Sequence, residues 1–369
     1  MASQKTEIST GKPDYGLIVV VGLLVLLGLT MLAGVSAAIS QEKFGTPNFY
    51  LFHQLLYGLL PGIILGFLVY RMKLDKLKKW APLLLLGNLF LMLLVFVPKI
   101  GMTLGGSRSW LNLGVITFQP SELLKLTLII YLSSWLAART EKKEHKATFV
   151  AFSAIIGLVA ALLILQPDIG TLGIIALTGI LTYFLSGTPV RHTLLIIILA
   201  VIVLTLAIRV SPHAFSRLSV FLNPELDPMG QGYQLRQVSI AVGSGGFFGK
   251  GWGMSIQKFG LVPQPLADSI FAIISEEGGL VISLTFVTLF LLLAWRGAAI
   301  FKQTQDKFRQ LMAAGISSWL IIQAFVNIGA MLGLCPITGI PLPLISYGGS
   351  ALAVELIAVG LLLNISKTK

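Results

Sequence analysis

The chain of 369 residues is 55% hydrophobic and only 11% charged, with a mean hydropathy of +0.88; soluble domains carry about 25% charged residues, so an integral membrane protein is expected instead. The formal charge is +12, but most Lys and Arg fall in short loops on one side of the apolar runs, where topology accounts for them and no nucleic acid partner is needed. A single cysteine, Cys335, excludes an intramolecular disulfide and any Cys-based metal cluster.

The apolar runs each approach the roughly 20 residues a helix needs to cross a hydrocarbon core, and strand-type alternation is absent, which excludes a β-barrel. The expected fold is all-α and polytopic, with ten transmembrane helices in one membrane domain, 15–366. Residues 1–14 form a polar tail rather than a signal peptide, because the run after them, Tyr15–Ile39, is too long for an h-region. Phe49–Tyr70 and Trp80–Val97 follow, and then Pro98–Ser121, the first long outward connection.

The fourth span, Glu122–Ala138, opens with Phe118-Gln-Pro-Ser-Glu-Leu-Leu-Lys125. Glu122 and Lys125 lie three apart, so they share a helix face and can neutralise each other. Pro120 and Glu122 equally fit simple helix initiation, whereas an ammonium below the interface normally lines a cavity. Thr148–Leu165 and Gly170–Leu185 are joined by Gln166-Pro-Asp-Ile-Gly-Thr171, where Asp168 is expected to cap the sixth span.

Thr193–Ile208 leads into 211–267, a loop far longer than a connector requires and therefore expected to carry function. Within it, Tyr233–Val242 reads as a short amphipathic helix on the membrane surface. Six glycines between 243 and 253 read as a tight, closely packed turn, since Gly249-Lys250 lacks the spacing of a phosphate loop.

Asp268 heads the eighth span, Ser269–Ala294. It could cap the helix, but Phe271 occupies the position where a capping box needs Glu or Gln. Ala272 and Ser275 leave room beside it, and a carboxylate at the apolar boundary should titrate high, as suits a general base. Glu276 and Glu277 lie about 12 Å into the same span. The ninth and tenth spans are Leu311–Leu334 and Ile345–Leu363, the latter holding Glu355; these three acids are expected to be structural or cavity-facing. Glu7, Asp14, Asp75, Glu141, Glu144 and Asp306 read as solvated inner charges, and Glu42, Glu225 and Asp227 as solvated or turn-forming outer ones. One alternate set of loops and tails holds 18 Lys and Arg and the other 8, so both termini, including the 367–369 tail, are expected to be cytoplasmic.

Gly105-Gly-Ser-Arg-Ser-Trp-Leu-Asn-Leu-Gly114, the Phe118–Lys125 and Gln166–Thr171 motifs, the 217–253 stretch and Pro341-Leu-Pro-Leu-Ile-Ser-Tyr-Gly-Gly-Ser350 occur in an order that resembles the SEDS family of FtsW and RodA. The likeness covers almost the whole chain, and Ser255-Ile-Gln-Lys258 looks more like FtsW. It implies a peptidoglycan glycosyltransferase that polymerises lipid II on the outer face of the bacterial plasma membrane during division or elongation. By the same matching, Asp268 falls on the family's catalytic acid, Glu122 and Lys125 on paired charges beside a central cavity, and Asp168 on the acid of the Gln-Pro-Asp turn. In many members His-Thr precedes the catalytic Asp and Phe follows it, where this chain has Leu266-Ala267 and Ser269; Ala351 stands where a second Ser is common.

In the mechanism this implies, Asp268 is general base on a sugar hydroxyl of an acceptor lipid II, and undecaprenyl pyrophosphate leaves. Arg108, Lys125, Arg217, Arg236 and Lys250 are the candidate cations for the leaving group, with a divalent ion such as Mg or Mn as a possible helper. The expected partners are lipid II and the growing strand, a class B penicillin-binding protein acting as transpeptidase, and other divisome or elongasome membrane proteins. A lipid II transporter and a non-catalytic scaffold for the transpeptidase remain alternatives.

Overall fold

The computed structural model describes residues 11–104, 106–112, 114, 117–140 and 144–367. Lys5, Glu7, Glu141, Lys142, Lys143 and Lys369 lie outside these, as do Gly105 and Leu113 of the 105–114 motif. The helices in chain order are α1 (Tyr15–Phe44), α2 (Phe49–Arg71), α3 (Leu74–Leu94), α4 (Pro120–Thr140), α5 (His145–Leu165) and α6 (Ile169–Leu185). They continue with α7 (Val190–Val210), α8 (Pro212–Leu222), α9 (Gln231–Ser244), α10 (Ile270–Gln303), α11 (Lys307–Met331) and α12 (Gly349–Ser366).

Among the described residues nine of these are long and apolar enough to cross a membrane, and α6, at 17 residues, is apolar but shorter. The chain is thus a polytopic helical membrane protein. Of their apolar windows, 72% is buried in α4, 72% in α11 and 67% in α12, against 17% in α7, so the first three form the centre and α7 the periphery. The tenth span begins later than expected, at Gly349, because Ile345–Gly348 belong to a loop.

Small residues set the α2–α12 contact. Glycines recur every four residues on α2, at 58, 62 and 66, and a Cβ on Gly360 of α12 would lie 2.2 Å from the Gly66 carbonyl oxygen. Only glycine permits that approach, the packing device of small-xxx-small helix pairs.

The loop after α3 is not wholly irregular. It forms a three-stranded antiparallel sheet of β1 (Gly101–Leu104), β2 (Ser107–Asn112) and β3 (Thr117–Phe118), strands too short to show in a hydropathy pattern of membrane length. Ser107 Oγ donates to the Gln166 carbonyl at 2.6 Å, tying the sheet to the Gln166-Pro-Asp168 turn.

Helix α10 is interrupted at Gly279 (φ 63°, ψ −160°). The glycine-rich segment after α9 fills the break. Lys250 N–H and Gly251 N–H donate to the carbonyls of Glu276 and Glu277, while Leu280 N–H and Val281 N–H donate to those of Gly246 and Phe247. Helix-breaking backbone is tolerated at membrane depth when protein satisfies it in this way. A Cβ on Gly279 would meet Gly249 N at 2.3 Å.

Two expectations are corrected. Asp14 is not a solvated charge; it is buried, caps α1 through Leu17 N–H, and pairs with both Arg296 Nε (2.9 Å) and Nη2 (2.5 Å). The amphipathic helix of the long loop spans Gln231–Ser244 rather than Tyr233–Val242 and packs on α10 through Val238 and Ala241.

Candidate active site at the head of helix α10

Asp268 immediately precedes α10 but does not cap it; Ser269 is the N-cap residue and makes no side-chain capping bond. The Asp268 side chain is buried, 4% exposed, and Oδ1 has no hydrogen-bond partner. Burial pushes the carboxyl up from 3.8 to about 6, while Arg217 and the Ser269 hydroxyl act in the opposite direction. Desolvation wins because it disfavours the charged form more than Arg217 and the hydrogen bonds from the Asp268 and Ser269 backbone and the Ser269 hydroxyl restore it.

Three successive carbonyls hold this acid in place. Tyr347 N–H donates to Leu266 O (2.8 Å), Ser346 Oγ to Ala267 O (2.5 Å), and Asn327 Nδ2 to Asp268 O (2.8 Å). The side chains of Leu266 and Ala267 take no part in these bonds, so the backbone that carries the carboxylate is held whatever side chains stand at those two positions. Ser269, where Phe is common, accepts from Gln234 Nε2 on α9 at 3.3 Å.

Helix α11 links the acid to a second polar cluster. Gln323 and Asn327, four apart on one face, donate to Pro341 O (3.0 Å) and Ile340 O (2.8 Å), fixing the loop that also supplies Ser346 and Tyr347. Gln323 Oε1 in turn accepts from Lys125 Nζ (2.7 Å) and Trp319 Nε1 (2.8 Å). Lys125 and Glu122 form a buried ion pair, 2.8 Å to Oε2 and 2.9 Å to Oε1. Glu355, whose partner was not evident in the sequence, accepts from Leu344 N–H at 2.7 Å and so braces the same loop at a residue with φ +64°.

Arg217 on α8 lies against Gly339, where a Cβ would come within 3.1 Å of Nη1. Burial pulls its guanidinium down, and the charges of Asp268 and Asp168 hold it up, so this cation connects two of the acids singled out in the sequence. Asp168 does cap α6, accepting from Thr171 N–H at 3.2 Å, and its other oxygen accepts from Ser121 Oγ at 3.0 Å. Its capping role therefore coexists with a place beside Arg217.

The other candidate cations are dispersed. Lys250 pairs with Glu276 at 2.7 Å, Lys258 with Glu277 at 3.0 Å, and the Ser255 hydroxyl also donates to Glu276. Arg108 Nη2 donates to Phe96 O at 3.1 Å, and Arg236 is exposed on α9. Among the described residues no three His, Cys, Asp or Glu side chains converge as a metal site, so the donor set does not fit a divalent cation held by the protein alone.

Gln323, Asn327 and Ser346 escaped the sequence reading because it weighed only charged groups. Uncharged polar residues four apart in an apolar helix, as at 323 and 327, are the signal that marks them.

A polytopic helical bundle with a buried carboxyl, one oxygen of it orphaned, held at the head of a span by three clamped carbonyls defines the class of protein. The FtsW/RodA/SpoVE family, described as "Cell cycle protein", matches residues 15–369, and the chain belongs to it. Stage V sporulation protein E of Bacillus subtilis (strain 168) is 38% identical over 371 residues, covering 100% of this chain and 99% of that protein. A "Probable peptidoglycan glycosyltransferase FtsW" of Nitrosococcus halophilus (strain Nc4) is 38% identical, covering 97% and 93%. A chain of the structure described as "Structural coordination of polymerization and crosslinking by a peptidoglycan synthase complex" superposes with a TM-score of 0.80 at 29% identity, covering 96% of this chain and 97% of that one. The rod shape determining protein RodA of Thermus thermophilus gives 0.71 at 28% identity, covering 96% of each chain.

Proposed function

We propose that this protein is a peptidoglycan glycosyltransferase that polymerises lipid II at the outer face of the bacterial plasma membrane, with Asp268 as general base. The observation that carries the assignment to Asp268 is its buried carboxyl, with Oδ1 unpartnered and the main chain on either side held by Tyr347, Ser346 and Asn327. A base titrating near 6 is mostly ionised at neutral pH yet basic enough to draw a proton from a hydroxyl as it attacks. The acceptor hydroxyl gives its proton to Asp268, its oxygen bonds the anomeric carbon of the lipid-linked donor, and that carbon's bond to the pyrophosphate oxygen breaks. The electron pair leaves with undecaprenyl pyrophosphate.

Cations already neutralised by carboxylates offer less to a leaving group. Among the candidates named from sequence, that applies to Lys125 and Lys250, each in an ion pair, and in part to Arg217, whose charge Asp168 and Asp268 offset without such a pair; it favours Arg236 and Arg108 for the pyrophosphate. Each lipid tail lies in the membrane beside the bundle, which orients both reactants before chemistry begins. The partner is a class B penicillin-binding protein that crosslinks the strand; the similarity to a chain of a peptidoglycan synthase complex supports this.

The test is reconstitution in liposomes with lipid II, with and without such a partner, comparing wild type and Asp268→Asn. Glycan strands from wild type and none from the variant are expected. Undiminished polymer from the variant would sink the base assignment, and labelled lipid crossing the bilayer without polymer would support transport instead.

A further inference from the structure

Between α8 and α9 lies an open cleft of about 200 Å³ whose wall carries His213, Arg217, Gln231, Gln234 and Gln264, with Phe221 among its apolar side chains. It reaches the head of α10 through Gln234, which is bonded to Ser269 beside Asp268, and its Arg217 feels the Asp268 charge. Three primary amides on one wall supply both donors and acceptors. Gln231 Nε2 lies 3.5 Å from His213 Nδ1, which leaves Gln231 Oε1 and His213 Nε2 buried without partners. Such groups are costly unless something else completes them.

Charge narrows what that can be. Burial and Arg217 keep His213 below its ordinary value, so the ring adds no positive charge at neutral pH. The charges of Asp168 and Asp268 act on Arg217 from a distance and offset its own, so the cleft offers a pyrophosphate no net positive charge. A neutral ligand rich in hydroxyl and amide groups meets matched partners instead. The volume is below the roughly 300–1,000 Å³ of pockets that enclose drug-sized ligands, and suits a single sugar ring.

We infer that this cleft binds the terminal N-acetylhexosamine of the acceptor, its glutamines reading the acetamido group and hydroxyls while the attacking hydroxyl turns toward Asp268. The inference rests on the glycosyltransferase reading and deepens it, by separating the acceptor sugar from the leaving pyrophosphate.

Two substitutions remove the amides gently. Gln264 has φ +49°, a conformation glycine adopts freely, so Gln264→Gly spares the backbone; Gln231→Met keeps chain length without polar atoms. Full-length protein in nanodiscs, carrying p-benzoylphenylalanine in place of Phe221, is irradiated with lipid II radiolabelled in its terminal sugar. Cross-linking is expected in the otherwise wild-type protein and in Asp268→Asn, at least tenfold weaker in the Gln231→Met/Gln264→Gly double variant, and insensitive to excess undecaprenyl pyrophosphate. Polymerisation is then measured with lipid II whose terminal acceptor hydroxyl is blocked, which can serve only as donor. The double variant should raise KM for unblocked acceptor about tenfold and leave KM for the blocked donor unchanged, which also shows that it folds. Cross-linking indifferent to both substitutions, competition by undecaprenyl pyrophosphate, or a rise in donor KM alone would overturn the inference. Expected cross-linking together with full polymerisation by Asp268→Asn would leave the sugar site standing and remove the base assignment instead.

Discussion

Replacing Asp268 by asparagine should abolish turnover and, above pH 6, make the protein more stable. Burial moves this carboxyl from 3.8 to about 6, so ionising it in the folded protein costs free energy that the unfolded chain does not bear. Below pH 3.8 both states hold the proton and the cost is absent. As pH rises through the window from 3.8 to about 6 the unfolded chain ionises first, and stability is lost. Above that window the loss is complete, at roughly two pH units and about 1.4 kcal/mol each, or about 3 kcal/mol. Asparagine keeps the shape without the charge. Thermal unfolding in detergent, followed by tryptophan fluorescence between pH 3.5 and 8, should show the two proteins level at the acid end and the variant increasingly the more stable toward pH 7. Wild-type polymerisation over the same range should rise with pH, reaching half its plateau near 6, while the variant loses at least about 100-fold, the lower end of what a general base contributes. A stability difference independent of pH, or a variant less stable at pH 8, would refute the claim that desolvation of Asp268 outweighs the Arg217 charge and the hydrogen bonds that offset it.

Arg217→Met removes the cation that holds the Asp268 carboxyl down, so the acid limb of the polymerisation profile should move to higher pH; a profile unchanged in position would separate the two residues. Ser346→Ala strips the hydrogen bond to Ala267 O and orphans Leu342 N–H, an expected loss of about 1–3 kcal/mol in unfolding, which Ser346→Thr should largely spare. Lys258→Met leaves Glu277 buried without its cation and should cost about 3–5 kcal/mol, with Lys258→Met/Glu277→Gln recovering part of it; equal stability of single and double variants would count against that pair.

The apolar helices were legible because each is a local property, a run of side chains compatible with hydrocarbon, which among the described residues is long enough to cross it in nine cases and shorter in α6. The Glu122–Lys125 pair and the Asp168 cap were legible for the same reason, since three residues along one helix or across one turn fix their geometry. Asp268 could be found as an acid at the head of an apolar helix. The clamp on its neighbours uses carbonyls, whose chemistry every residue shares, so side-chain identity at 266 and 267 said little about how the acid is held.

Partnerships across the chain were not legible. Asn327 reaches Asp268 over 59 residues and Ser346 reaches Ala267 over 79; Glu276 and Glu277 find Lys250 and Lys258 only because α10 breaks at Gly279 and admits the glycine-rich loop. Asp14 looked like a tail charge until the folded chain brought Arg296 to it. Hydropathy by itself determined that this protein is a polytopic helical membrane protein, since burial in lipid acts on every residue of a span at once. Which buried acids are neutralised by a cation and which keep an orphaned oxygen was decided only by the tertiary structure, because the desolvation of a charge depends on the few groups packed around it and those come from distant segments.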